Sequence, residues 1–331
     1  MTHRDRVATA LEHERPDRCP MQASFTPEFA ERLCTELGVA GSELHNPHGG
    51  GNSHRLETLI GEDLLLTSIG WANSYYSGAE RYVDEWGVGW HRVPYETPFG
   101  RGSYTEISSH PLADVGMLAA YRAPDPSRPD LCDEAKRTIE GFGREYWIVG
   151  VAVTTIFETA WALRGLEQLL TDFVVDPELA ETILDIPYSY HRTVARRLTE
   201  AGVDMIWTGD DFGAQHSMII SPQMWRRFFK PRMAELFADL KGINSELKIA
   251  YHSDGNIEAI IPDLIEIGLD VLNPVQPGSM SPSALRRTYG KRLAFWGTID
   301  EQNTLPFGSS AQVRAEVAAR LEEVGSSGGL I

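Results

Sequence analysis

Short apolar, β-rich runs alternate along this chain with amphipathic stretches. Eight runs stand out: Cys19–Phe25, Asp63–Ser68, Tyr146–Val153, Asp204–Gly209, Leu247–His252, Asp270–Pro274, Leu293–Gly297 and the terminal Gly328–Ile331. Each of the first seven is followed by loop residues and then by a helical pattern, the order that a parallel sheet wrapped by helices requires. The pattern predicts an α/β chain forming one (β/α)8 TIM barrel over residues 1–331, its eighth strand only partly present. Pro222–Lys241 and Ala311–Val324 read as outer helices, and Val313, Val317, Leu321 and Val324 form a stripe expected to pack on the core.

One region breaks the alternation. Tyr82–Val93 reads as a β-hairpin turning near Gly87, and Ser103–Ile107 as a further strand, so an insert of about 80–130 is expected after the second barrel strand. Pro94, Pro98 and the run Ala123-Pro124-Asp125-Pro126-Ser127-Arg128-Pro129 mark loop before the barrel resumes. An inserted hairpin near strand ends suits either a lid or a plain structural cap.

Composition narrows the class. No apolar run approaches the roughly 18 to 20 residues that cross a bilayer, and the N-terminus carries no secretory signal, so a cytoplasmic protein without membrane contact is expected. Cys19, Cys34 and Cys132 have neither disulfide arithmetic nor a Cys-x-x-Cys spacing. With 47 acidic against 30 basic side chains, the formal charge is −17, which repels nucleic acid. Dinucleotide-binding, Walker, Gly-x-Ser-x-Gly and His-Glu-x-x-His motifs are absent, so no nucleotide cofactor is expected. Oligomeric state stays open, a homodimer included.

In a (β/α)8 barrel the chemistry lies where strands run into the following loops. The fourth predicted strand ends in Thr208-Gly209-Asp210-Asp211-Phe212-Gly213-Ala214-Gln215-His216. Adjacent carboxylates on extended chain point apart, so one of Asp210 and Asp211 faces the pocket while the other caps a helix or binds a neighbouring loop. The fifth ends in Tyr251-His252-Ser253-Asp254-Gly255, where His252 and Asp254, two apart, project from one side. That pair suits capture of zinc or another divalent metal, a metal-free acid/base pair, or a plain helix cap by Asp254. Substrate contacts are expected from Gln215, Trp71, Asn73, Glu158, Asn273, Gln276 and Trp296, with Gln22, Ser24 and Trp161 as further contributors.

These residues carry a family resemblance. The opening from Arg4 to Pro20, the Gly209-Asp210-Asp211-Phe212-Gly213 turn, Ser221-Pro222 leading to Phe228-Phe229-Lys230-Pro231, and His252-Ser253-Asp254-Gly255 through Asp270–Gln276 together resemble the uroporphyrinogen decarboxylase superfamily over nearly the whole chain. The resemblance implies the same barrel, and either cofactor-free tetrapyrrole decarboxylation or zinc-dependent methyl transfer among corrinoid proteins, methylated substrates and thiols. Where the decarboxylases carry Arg-Gln-Ala-Gly-Arg-Tyr, this chain reads Met21-Gln22-Ala23-Ser24-Phe25-Thr26 with no arginine, so the methyltransferase-like branch is the nearer one. That branch holds zinc on a His-x-Cys pair and a later Cys. The matching pair here is His252 and Asp254, and no cysteine follows Cys132. Relatives continue past the eighth strand, so the resemblance implies either a chain cut short after Ile331 or a third ligand from Asp211 or Glu158.

Three functions follow as expectations. The first is metal-dependent methyl transfer to or from a small methylated or thiol substrate, with a corrinoid protein as partner. The second is decarboxylation of a tetrapyrrole or other small acid, Asp211 stabilising a protonated ring and His252 moving the proton, with Asp210 and Asp254 as further catalytic candidates. The third is a non-catalytic barrel that binds a small molecule.

Overall fold

A computed structural model describes residues 1–39, 46–69, 79–97 and 100–331. Its strands in chain order are β1 (Leu64–Ser68), β2 (Arg81–Val83), β3 (Gly89–Thr97), β4 (Gly100–Ser109), β5 (Trp147–Val153), β6 (Met205–Gly209), β7 (Lys248–His252), β8 (Val271–Asn273) and β9 (Ala294–Phe295). β1, β5, β6, β7, β8 and β9 lie side by side in that order as one parallel sheet with helices between them. β2, β3 and β4 form a separate antiparallel sheet between β1 and β5 in sequence, with Gly87 at φ 77° in its first turn.

The parallel strands are buried on both faces, which is why they read as unbroken apolar runs. Alternation splits them into two cores. Leu64, Leu66, Val149, Val151, Met205, Trp207, Ala250, Val271, Ala294 and Trp296 share one face with Val7 and Leu11 of the helix His3–Leu11. Leu65, Ile148, Ile206, Ile249, Tyr251, Leu272 and Phe295 point the other way, into the helical layer. Burying a side chain of this size stabilises by about 1.5–3 kcal/mol.

Three expectations are corrected. Cys19–Phe25 is not a strand: the Met21 N–H goes to the Asp63 carboxylate at 2.8 Å and the Ala23 N–H to Glu62 at 3.2 Å, so side chains replace the carbonyls that would continue the ladder. Pro222–Lys241 is two helices, Pro222–Phe228 and Lys230–Ile243, because Pro231 has no N–H to carry the hydrogen-bond ladder through and instead begins a new first turn. The stripe on Ser310–Glu323 does not pack on the core, since Val317 is 38% and Leu321 41% exposed and only Val324 beyond the helix is buried. Periodicity marks a face without supplying its partner. At the C-terminus, Leu330 joins β9 by a single parallel bridge at Phe295. Among the described residues, no helix is long and apolar enough to cross a membrane.

Candidate active site at the strand C-termini

Strand parity builds the site. On β6, β7, β8 and just past β9, the residues Trp207, His252, Asn273 and Trp296 fall in step with the inner-face residues Met205, Ala250, Val271 and Ala294. They therefore collect at one end of that face. Trp207 and Trp296 lie 4.8 Å apart between ring centres, and the His252 ring meets Trp207 edge-on at 5.7 Å.

The next residues bring in charge. The loops after β6 and β7 touch backbone to backbone: a Cβ on Gly213 would lie 2.3 Å from the Asp254 carbonyl oxygen, and one on Gly255, at φ 74°, 2.4 Å from the Gly213 carbonyl carbon. Only glycine permits that approach. The Asp254 N–H donates to Asp211 Oδ1 at 2.8 Å, the Phe212 N–H to Ser253 Oγ at 3.0 Å, and the Gly255 N–H to Gln276 Oε1 at 2.8 Å.

His252 is held in one tautomer. The Asn273 amide donates to the Trp296 carbonyl at 3.1 Å, which turns its oxygen toward His252 Nδ1 at 2.7 Å. An oxygen there demands a proton on Nδ1 and leaves the Nε2 lone pair free in the neutral ring. Nε2 faces Asp211 Oδ1 at 3.5 Å and Asp254 Oδ1 at 3.8 Å. One donor atom from each of Asp211, His252 and Asp254 lies within 4.8 Å of the others. In tetrahedral zinc sites with bonds of about 2.0–2.2 Å, neighbouring donors stand roughly 3.4 Å apart. The donor set and spacing therefore fit a divalent ion with a position left open.

Three carboxyl groups at or beside the cluster, Asp254, Glu158 and Asp210, are pushed upward. Burial raises Asp254 to about 6, with Asp211 and Glu301 adding to it and His252 opposing. Half-buried Glu158, which accepts the Asp211 N–H at 3.3 Å, is raised well above the usual range by burial and by the Asp211 and Asp210 carboxylates. Asp210 lies apart: fully buried, it accepts the N–H groups of Ile156 and Glu158 at 3.0 Å and so caps the helix Phe157–Arg164. Burial pushes it to about 8 against the pull of those N–H groups.

The other expected contacts scatter. Gln276 bridges Gly255 and Glu301, its amide reaching Glu301 at 3.3 Å, while exposed Gln215 bonds the Gly278 carbonyl at 2.9 Å. Gln22 accepts from the Trp296 indole at 3.1 Å, Ser24 bonds the Pro47 carbonyl, and Trp161 packs on Phe157. Trp71 and Asn73 lie outside the described residues. The sequence reading missed Trp207 and also His48, whose ring lies 6.3 Å from Trp207 and which burial and nearby His252 push down to about 4. The signal for His48 was the Pro47-His48-Gly49-Gly50-Gly51 run, where Gly49 at φ 85° packs on the Leu66 backbone.

Backbone strain collects at the same end. Thr154, Val275 and Thr298, which follow β5, β8 and β9, have φ of 57°, 56° and 68°, and such conformations cost β-branched residues about 1–3 kcal/mol each. A cleft of about 390 Å³ lined by Arg4, Glu140, Arg144 and Asp204 lies at the opposite end of the sheet, but Arg4 and the Ile148 N–H already bind the Asp204 carboxylate.

A parallel α/β sheet with polar groups gathered at its strand C-termini is the layout of an enzyme of the barrel class. A family model for uroporphyrinogen decarboxylase (URO-D) matches residues 95–331, and the chain belongs to that family. Among solved structures, a methyltransferase from Methanosarcina mazei aligns over 100% of this chain and 92% of its own at 21% identity and TM-score 0.70. A psychrophilic glycoside hydrolase family 10 endo-β-1,4-xylanase (61% of this chain, 68% of its own, 7% identity) and a δ-aminolevulinic acid dehydratase (porphobilinogen synthase) from Toxoplasma gondii ME49 (95% and 88%, 14% identity) both align at TM-score 0.37, too low to bear on the fold. No curated protein matches the chain.

Proposed function

We propose that this protein is a metal-dependent, methyltransferase-like enzyme acting on a small molecule, with Asp211, His252 and Asp254 holding one divalent ion. The observation that carries the reading is the Asn273–His252 bond, which leaves Nε2 free and facing the two carboxylates. Carboxylate in place of thiolate makes a harder donor set, open to zinc and to other divalent ions. Such an ion supplies Lewis acidity toward a heteroatom of the substrate.

The chain's own groups do the rest. Asn273 fixes the imidazole, Ser253 and Gln276 hold the two loops in register, and Glu158 accepts the Asp211 N–H. Membership in the URO-D family and the likeness to the Methanosarcina mazei methyltransferase support methyl transfer, with a corrinoid protein as the partner that exchanges the methyl group. We further propose a cytoplasmic, single-domain barrel of residues 1–331, closed where Cys19 meets Leu330, with the β2–β4 sheet as its insert.

Elemental analysis and calorimetric titration with zinc test the metal. About one ion per chain is expected, with affinity lowered by roughly a hundredfold or more in His252→Ala. A chain that takes up no divalent ion overturns the proposal. A second reading, metal-free decarboxylation, draws on the raised Asp254 and Glu158 carboxyl groups as proton donors; carbon dioxide release without any ion would favour it.

A further inference from the structure

Among the described residues, the carboxyl groups at the strand ends have no lysine or arginine opposite them. Asp211 and Asp254 pair with His252 alone, Glu158 accepts a backbone N–H, and Glu301 an amide of Gln276. Among the described residues, no Lys or Arg lies within ion-pair distance of these four. Residues 40–45, 70–78 and 98–99 contain neither Lys nor Arg, so they hold none to supply. One bound divalent ion would neutralise two of the four charges. An anionic substrate would then still meet acid, with no guanidinium or ammonium to hold it.

Aromatic surface lies beside the charge. Trp207 and Trp296 are at least nine-tenths buried, tilted 43° to each other, and Trp207 lies against His252. The Trp296 N–H is satisfied by Gln22, whereas the buried Trp207 N–H has no partner among the described residues. Indole faces and desolvated carboxylates both favour a compact organic cation over a neutral molecule of equal shape.

We propose that the small substrate of this site is a methylated cation, an alkylammonium or sulfonium, whose methyl groups lie against Trp207 and Trp296 and whose charge faces Glu158, Asp254 and Glu301. This rests on the reading of the strand ends as the active site and deepens it by naming the substrate class.

Three probes of nearly one shape separate charge from size: choline, 3,3-dimethylbutan-1-ol and 3,3-dimethylbutanoate. Each is titrated calorimetrically into the full chain, with and without zinc. Choline is expected to bind at least about tenfold more tightly than the alcohol, with the acid undetected. Glu158→Gln and Glu301→Gln should each shrink that ratio several-fold, and exposed Glu301 carries the test if Glu158→Gln fails to fold. Equal or tighter binding of the alcohol or the acid, no binding of any probe, or an unchanged ratio in the variants overturns the proposal. A cation preference without zinc uptake would leave it standing and sink the metal proposal instead.

Discussion

The two ends of the parallel sheet carry the same residue types and treat them in opposite ways. At the N-terminal end, Asp63, fully buried before β1, meets Arg6 at 2.6 Å, Arg18 at 2.5 Å and His3 at 2.8 Å, while Asp204 pairs with Arg4 and Asp270 with Lys241. At the C-terminal end, Asp211 and Asp254 share a single imidazole, Glu158 accepts a backbone N–H, and among the described residues none of the three meets an arginine. The first arrangement ties the opening helix to the sheet. The second leaves charge uncompensated, which folding alone does not favour and which a ligand can relieve.

The contrast can be broken at either end. The largest effect is expected from Asp63→Ala, which removes the buried acceptor shared by Arg6, Arg18, His3 and the Met21 N–H and leaves buried Arg6 paired with Asp17 alone among the described residues. Removing one partner of a buried pair costs about 3–5 kcal/mol, so thermal unfolding should fall by many degrees, whereas Asp211→Asn should leave stability within about 1 kcal/mol. Equal losses from the two variants would mean that the ends do not differ in kind.

A smaller effect is expected from Asn273→Ala, which frees the His252 ring. Loss of such an orienting partner lowers metal affinity by roughly 10–100-fold; zinc titration of the folded variant checks it, and wild-type affinity would show that Asn273 does not position the ring.

The smallest concerns Glu62, the uncompensated acid at the otherwise paired end. Burial, then the Glu57 carboxylate, pushes it to about 9. A carboxyl group raised on folding binds more protons in the folded state, so its protonated form is fully favourable below the unfolded value near 4.5 and stability declines as pH rises from there to about 9. Glu62→Gln keeps the acceptor for the Ala23 N–H and removes the titration. It should stabilise by on the order of 1–2 kcal/mol at pH 8 and by almost nothing at pH 4, read from unfolding midpoints across that range. A gain independent of pH would point to packing instead.

Both ends bear on how far the sequence could be read. β1 and β5 to β8 were legible because strands buried on both faces leave a long apolar signature, and the shared side of His252 and Asp254 followed from alternation alone. Cys19–Phe25 misled because its apolar residues, Pro20 apart, are at most half-buried, Met21 being exposed, while its N–H groups go to Asp63 and Glu62, partners 39 or more residues away. The Val317–Leu321 stripe misled for the reverse reason: a periodic face was present, and nothing among the described residues covers it. At the site, the division of labour between Asp210 and Asp211 depends on the helix Phe157–Arg164 arriving beneath the first of them, a long-range fact that no local spacing contains. Trp207 belongs to the inner-face core, and its neighbours Trp296 and His252 give it a place at the strand ends.

The contact between Gly213 and Gly255 has a consequence for how such a chain can change over time. Two loops that meet through their main chains behave as one mechanical part. Side chains on them can be exchanged one at a time, sulfur for oxygen or acid for amide, while the frame that spaces them stays as it was. Neither loop can gain or lose a residue without dislodging the other. Diversity at this end of the molecule is thus open to substitution and closed to insertion, so new chemistry here would arise by replacing Asp211 or Asp254 and not by lengthening the loops that carry them.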